Sequence, residues 1–156
     1  MSSRLLSFML RRVVSKRKPD IVIGGRENPY LHRWWLIPRN RVFNVYLHHF
    51  LRSDDDRALH CHPWANASLL LSGEYTEHTI AQGGVHRAQI IRAGEFRIRW
   101  SGKLAHRIEL HNGSCWTIFV TGPRYREWGF HCVQGWRHWR EFTAPHDSGQ
   151  IGRGCE

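Results

Sequence analysis

Short apolar or alternating runs, separated by turn residues, fill the chain from about residue 29 to residue 121. Because successive side chains of a strand point to opposite faces, such runs with Gly, Pro, Asn and Asp between them are typical of an all-β domain. The predicted strands span residues 31–37, 42–51, 58–62, 67–71, 75–80, 89–92, 96–100, 105–110 and 115–121. Many short strands at this spacing predict a sandwich or barrel such as a jelly roll.

The beginning of the chain has a different pattern. Apolar side chains recur at helical spacing over residues 4–14, which predicts a short amphipathic helix that ends before Pro19. Residues 1–18 also carry six basic and no acidic side chains, out of a net charge of +10. We favour packing of this helix on the outside of the barrel or on a second subunit. A mitochondrial-type presequence and an anchor for anionic membrane or nucleic acid are the alternatives.

These patterns divide the chain into three parts. Residues 1–20 form the basic amphipathic segment, residues 21–143 the barrel with an aromatic C-terminal tail, and residues 144–156 a flexible C-terminus. No apolar run approaches the roughly 20 residues of a membrane-spanning helix, so we expect no membrane span. The four cysteines form no Cys-x-x-Cys pair and are Cys61, Cys115, Cys132 and Cys155. We therefore expect reduced thiols in a cytoplasmic protein.

The candidate chemistry lies in the twelve histidines. Most of them stand in polar surroundings, where a surface imidazole is the ordinary explanation. His48 and His49 are adjacent on a predicted strand, so at most one of them can face a pocket. His60 and His62 are separated by one residue and therefore project from the same face of a strand. Two imidazoles placed in this way can converge on one divalent metal ion.

Two stretches of the chain resemble the two motifs of the cupin superfamily. Residues 60–75 read HCHPWANASLLLSGEY and resemble the first motif, a His-x-His followed by Glu and Gly. Residues 93–108 read AGEFRIRWSGKLAHRI and resemble the second, a Gly followed by Pro-x-Gly and His. The two motifs and the segment between them cover about a third of the chain. The resemblance implies a single cupin double-stranded β-helix, or jelly-roll barrel, preceded by the short helix.

The chain departs from these motifs at three places. Asn66 stands where the first motif has Glu, Trp100 stands where the second has Pro, and the motif His comes one residue late as His106. The first change alters the chemistry of the site, whereas the other two reshape a turn. A resemblance to small uncharacterised cupins of bacteriophage type, which implies no activity, rests on residues 63–64, 121–123 and 126–130.

The resemblance implies a ligand set by position. His60, His62 and His106 match the family's metal ligands, and Asn66 takes the place of its Glu ligand. Three neutral imidazoles and an amide leave a divalent ion its full charge, so the site should attract a small anionic substrate. Three-His iron sites of the family are similar to those of thiol and diketone dioxygenases. We therefore expect Fe(II), with Zn, Ni or Mn fitting the same ligands, in a mononuclear dioxygenase-like oxidoreductase.

Cupin barrels also serve without a metal, and two alternatives stay open. One is a non-oxidative isomerase or epimerase that acts on a sugar-like ligand through His and Tyr. The other is a binding module for a small molecule or for nucleic acid, although no nucleic-acid motif favours the latter. Cupins frequently dimerise through sheet edges, so a homodimer is expected by analogy.

Strand parity predicts further side chains that face the pocket. If His60 and His62 point inward and the strand continues, Asn66 and Ser68 point inward as well. Ser68 is therefore a candidate for supporting the ligands by hydrogen bonds.

The neighbouring predicted strands add two pairs of side chains. Tyr46 and His48 share one face, and either could hydrogen-bond to a ligand. In residues 96–100 the apolar side chains share one face, and Arg97 and Arg99 share the other. If the apolar set lines the cavity, the two arginines lie outside.

Overall fold

The computed structural model describes residues 2–54, 58–111 and 113–156. Twelve strands form two six-stranded sheets in which every pair of neighbouring strands is antiparallel. The first sheet has the order β1 (Ile21–Ile23), β2 (Leu31–Trp35), β3 (Asn44–Phe50), β10 (Cys115–Thr121), β5 (Asn66–Ser72), β8 (Phe96–Arg99). The second has the order β12 (Gly135–His138), β11 (Gly129–Cys132), β4 (Leu59–His60), β9 (His106–Leu110), β6 (Glu74–Ile80), β7 (His86–Arg92).

The hydrophobic core lies between the two sheets. One cluster of buried side chains takes members from both, and these include Leu31, Phe50 and Leu70 of the first sheet and Tyr75, Ile91 and Ile108 of the second. Each of these strands buries the face that its apolar positions occupy, as the alternation in the sequence predicts. The predicted all-β fold is confirmed, and each of the nine predicted strands overlaps a strand of the structure.

The N-terminal helix packs on the outer face of the first sheet. α1 (Ser2–Met9) continues into a wider helical turn over Leu10–Val14. Its apolar side chains, Leu5, Leu6, Met9, Val13 and Val14, contact a buried cluster of Trp34, Leu47 and Leu71. This is the packing that the favoured interpretation of the segment predicts. None of the described helices is long and apolar enough to cross a membrane.

The C-terminal segment contains regular secondary structure. Residues after β12 form α2 (Trp139–Phe142), β13 (Thr143–Ala144) and β14 (Asp147–Ile151), and the last two strands pair with each other. Phe142 is buried and stacks on Phe130 with 3.7 Å between ring centroids. The flexibility predicted for residues 144–156 stays a prediction, although the buried Phe142 lies just before the segment and a disulfide joins Cys155 near its end to β11.

That disulfide joins Cys132 to Cys155, across 23 residues. The expectation of reduced thiols is wrong for this pair, since β11 and the C-terminal segment bring the two sulfurs together. Cys61 and Cys115 are free and buried.

Candidate metal centre

Three histidines converge at one end of the space between the sheets. His60 ends β4 and pairs with His106 at the start of β9, while His62 follows two residues after His60. The Nε2 atoms of His62 and His106 are 2.9 Å apart. In the described part of the chain, these three residues form the one group of at least three His, Cys, Asp or Glu side chains whose ligand atoms all lie within 4.8 Å.

The backbone around His62 explains why this side chain is held in place. The His62 amide donates to the Gly102 carbonyl at 2.9 Å, and Arg126 donates to the His62 carbonyl at 3.3 Å. A Cβ at Gly102 would lie 2.3 Å from the His62 carbonyl oxygen, so only glycine permits this approach. Gly102, the Gly of the second motif, therefore allows the turn after β8 to pack directly against the backbone of His62.

Two carboxylates face the outer nitrogens of this histidine group. Glu77 Oε1 lies 2.9 Å from His106 Nδ1, and Asp54 Oδ2 lies 3.7 Å from His60 Nδ1. Asp54 is itself held by the Ile108 amide, which donates to it at 2.6 Å. A carboxylate beside one nitrogen of an imidazole is a common arrangement in metal sites. Arg99 Nη2 also lies 2.9 Å from His106 Nδ1.

The sequence patterns predict neither carboxylate. Asp54 lies between the predicted strands 42–51 and 58–62, and the Ile108 amide of β9 donates to it. Glu77 lies two residues from Tyr75 on β6, and both side chains are buried. That spacing is the one available signal, because it places a charged residue on the face that an aromatic residue turns to the core.

Arg99 provides the positive charge that accompanies Glu77. The two side chains form a buried ion pair, and Arg97 Nη2 reaches the other Glu77 oxygen at 3.0 Å. Arg99 is 7% exposed, whereas the apolar side chains of its strand are turned outward, with Phe96 at 56% and Ile98 at 44%. The apolar set therefore does not line the cavity, and the condition under which the two arginines would lie outside is not met. A buried carboxylate needs a buried counter-charge, and this need outweighs the preference of the apolar face for the interior.

Asn66 is buried as predicted, at 5% exposure, and its side chain lies beside Arg99. The Asn66 Oδ1 accepts a hydrogen bond from Arg99 Nη1 at 3.2 Å. The Arg99 guanidinium thus contacts both the Asn66 amide oxygen and the Glu77 carboxylate. Asn66 replaces the Glu of the motif, and the carboxylate that meets Arg99 comes from β6 instead.

The pKa values of the imidazoles favour the protonation state that binds metals. Burial lowers the pKa of His62 and of His106 well below the usual histidine value, and nearby positive charge lowers both further. Both rings are therefore neutral at pH 7, and a neutral imidazole offers a lone pair to an ion. The three imidazoles, His60, His62 and His106, beside two carboxylates fit a divalent metal ion by the chemistry of their donor atoms.

A cavity of about 280 Å³ opens beside this group and is walled by both sheets. Its walls are mostly apolar and aromatic, and its volume lies near the lower end for small-molecule pockets. Of the three predicted supporting residues, His48 and Ser68 line the cavity. Tyr46 is buried and stacks on the His48 ring at 5.8 Å between centroids.

No protein-family model and no curated protein matches the chain. Solved structures do match it. Fe(II) HppE in complex with its substrate aligns with a TM-score of 0.53 and 15% identity, over 67% of this chain and 56% of that one. The chain therefore spans little more than half of the length of that protein.

Two further structures agree. A Bacillus subtilis oxalate decarboxylase with Mn(II) centres aligns with a TM-score of 0.52 and 14% identity, over 74% of this chain and 30% of that one. An uncharacterized Klebsiella pneumoniae protein with a double-stranded β-helix domain aligns with a TM-score of 0.50 and 16% identity, over 70% of this chain and 90% of that one. The fold is a double-stranded β-helix. At these identities the similarity shows the fold alone.

Proposed function

We propose that this double-stranded β-helix holds a mononuclear metal site and acts as a dioxygenase-like oxidoreductase on a small anionic substrate. His60, His62 and His106 are the proposed ligands, with the second lone pair of the Asn66 carbonyl oxygen as a weak fourth. Fe(II) is the ion we expect, and Zn, Ni or Mn fits the same donor atoms. The observation that carries this proposal is the convergence of three imidazoles, two of them facing carboxylates, on the wall of a small cavity.

The chain's own residues prepare this site before any ligand arrives. Glu77 and Arg99 both lie 2.9 Å from Nδ1 of His106, whose Nε2 lies 2.9 Å from that of His62, and Asp54 faces the outer nitrogen of His60. Aromatic side chains such as Phe119 and Phe130 line the cavity and limit the water in it. A divalent ion at the three imidazoles would supply Lewis-acid chemistry and, if it is iron, one-electron chemistry with oxygen.

The relatives in fold support a metal site without naming the reaction. The HppE structure contains Fe(II) and a substrate, and the oxalate decarboxylase contains Mn(II). Both are redox-active divalent ions, and both prefer nitrogen and oxygen ligands such as those present here.

Elemental analysis tests the proposal directly. Purified protein loaded with Fe(II) without oxygen and then desalted should retain one equivalent of iron per chain. His60→Ala and His106→Ala should retain almost none, while the exposed His146→Ala, which removes an imidazole far along the chain, should retain the wild-type amount. Absence of stoichiometric metal in the wild type, or full retention by His106→Ala, would contradict the proposal.

A metal-independent isomerase or epimerase is the second candidate, and one observation favours it. Tyr75 and His48 are both buried and both line the cavity, and burial raises the pKa of Tyr75 and lowers that of His48. Such a neutral pair is able to exchange protons with a sugar-like ligand. Binding of a sugar that is unchanged by a chelator and lost in Tyr75→Phe would favour this candidate over the metal site.

A further inference from the structure

One wall of the cavity carries three polar side chains in a single row across the first sheet. Arg33 of β2 pairs in register with His48 of β3, and His48 pairs in register with Thr117 of β10. All three line the cavity. Because cross-strand partners project from the same face, their side chains are immediate neighbours. We call this set, Arg33, His48 and Thr117, the Arg33 row.

Arg33 brings a positive charge that no carboxylate of the described residues neutralises. Its Nε donates to His48 Nε2 at 2.8 Å, and its guanidinium lies over the Tyr46 ring at 4.9 Å. In contrast to Arg99, which pairs with Glu77, it forms no ion pair with any described carboxylate. Burial lowers the pKa of Arg33, so its charge is held in surroundings that disfavour it. Such a charge is a candidate partner for an anion.

Each of the other two side chains of the row has one buried polar atom without a hydrogen-bond partner among the described residues. Because His48 Nε2 accepts from Arg33, the proton of the neutral ring is on Nδ1. That nitrogen and the Thr117 hydroxyl are buried and have no partner among the described residues. Buried polar groups are nearly always paired, so two such atoms beside a guanidinium without an ion-pair partner among the described residues indicate a missing acceptor.

We propose that the Arg33 row binds a compact oxyanion, which is one end of the substrate whose other end faces the histidine group. The placement of the other end of the substrate at the histidine group rests on the proposed function, whereas the binding of an oxyanion by the Arg33 row does not. The Arg33 charge contributes to the low pKa of both His48 and His62, so Arg33 lies within electrostatic range of the histidine group. The cavity volume of about 280 Å³ restricts the ligand to a small molecule. The chemistry of the row suits a carboxylate or a phosphate, since a guanidinium binds both through paired hydrogen bonds.

NMR titration of the metal-free protein in the presence of a chelator tests this subsite. Sodium acetate and inorganic phosphate are the probes, acetamide is the neutral control for acetate, and sodium chloride keeps the ionic strength constant. We expect at least one anion to shift the Arg33 Nε–H resonance and the backbone amides of the row, and acetamide to leave them unchanged. Preference for acetate assigns a carboxylate to the substrate, and preference for phosphate assigns a tetrahedral oxyanion.

Two variants locate the effect. Arg33→Met should weaken binding of the preferred anion at least tenfold, whereas Arg92→Met, which removes an exposed charge on β7, should bind as the wild type does. Thr117→Val keeps the shape of the side chain and should weaken binding several-fold, which provides a test if Arg33→Met does not fold. The proposal is wrong if neither anion shifts these resonances, or if the foldable variants bind as tightly as Arg92→Met.

The outcome is independent of the metal proposal. The titration contains no metal, so a protein that binds no iron can still bind the anion. Conversely, iron stoichiometry should be unchanged in Thr117→Val, because Thr117 is outside the histidine group. A wild-type protein that binds iron but neither anion would overturn the Arg33 row alone, and a wild-type protein that binds an anion but no iron would overturn the metal centre alone.

Discussion

Replacement of Glu77 by Gln should have the largest effect of any single conservative change at the site. Glu77 is 3% exposed, and it meets Arg99, Arg97 and His106 at once. The amide of Gln keeps the shape of the side chain but removes the negative charge. Arg99 then remains buried with a positive charge and no counter-charge, while His106 loses the anionic acceptor at its Nδ1.

The expected loss follows from the burial of this pair. Removing one partner of a buried ion pair costs roughly 3–5 kcal/mol, because the remaining charge stays desolvated. In a domain of this size about 1 kcal/mol lowers Tm by 2–4 °C, so Glu77→Gln should melt roughly 6–20 °C below the wild type. Loss of a carboxylate behind a metal-binding histidine should also weaken metal affinity about 10–100-fold.

Thermal melting in a chelator and competition for metal with a chromophoric chelator measure the two effects separately. Glu74→Gln is the matched control, since Glu74 is on the same strand, is 43% exposed and meets Arg92 at 3.6 Å. It should lose less than about 1 kcal/mol. The double variant Glu77→Gln/Arg99→Met should recover part of the lost stability. A Glu77→Gln protein that melts together with Glu74→Gln would refute the electrostatic reasoning.

Three further predictions concern stability. Cys132→Ser should destabilise the protein by about 3 kcal/mol in urea, because the disulfide with Cys155 closes a chain segment of 23 residues; a thiol assay of the unfolded, unreduced wild type should find two thiols, and four would contradict the disulfide. Burial lowers the pKa of three histidines, which are His48, His62 and His106. Their folded pKa values lie below the unfolded value of about 6.5, so the unfolded chain binds more protons than the folded protein. The metal-free protein should therefore lose stability as pH falls through 6.5 toward 5, and a urea midpoint that stays constant over that range would contradict this. Thr117→Val removes an unpaired buried hydroxyl and should stabilise the ligand-free protein by about 1 kcal/mol, measured in the same urea assay; a loss instead would mean that the hydroxyl is bonded.

Strand alternation made the barrel predictable from the sequence, whereas the C-terminal part required contacts that alternation does not describe. β4 is only two residues long, yet it joins β9 to β11. β11 and β12 mix aromatic, basic and Gly positions without a period of two, so no strand was predicted there. The polar composition of residues 144–156 predicted flexibility. In the structure Phe142 stacks on Phe130 and Cys155 bonds to Cys132, and these contacts with β11 are not visible in the composition of the segment. The homodimer and the bacteriophage-type resemblance stay predictions.

The pairing of His60 with His62 was predictable because its geometry is local, whereas His106 was predictable only from the resemblance to the second motif. His60 and His62 share a face by parity, and the second motif places His106 on the next strand of the same sheet. The carboxylates were not predictable in this way, since Asp54 comes from a connection and Glu77 from the strand on the other side of β9. Only the assembled second sheet shows that these acids face the outer nitrogens of the imidazoles.

The charges around the site imply that metal and anion binding are coupled. Glu77 is balanced by Arg99 within the protein, and the three imidazoles are proposed to bind the ion while neutral. A divalent ion therefore adds positive charge to a cavity in which Arg33 is already without a carboxylate partner. An anion in that cavity should bind more tightly to the metal-loaded protein, and by linkage it should raise the affinity for the metal by the same factor. Competition titrations with Zn(II), with and without the anion that the Arg33 row prefers, measure this factor. It should fall toward one in Arg33→Met if the anion is held by Arg33, and it should remain at the wild-type value if the anion binds the metal alone.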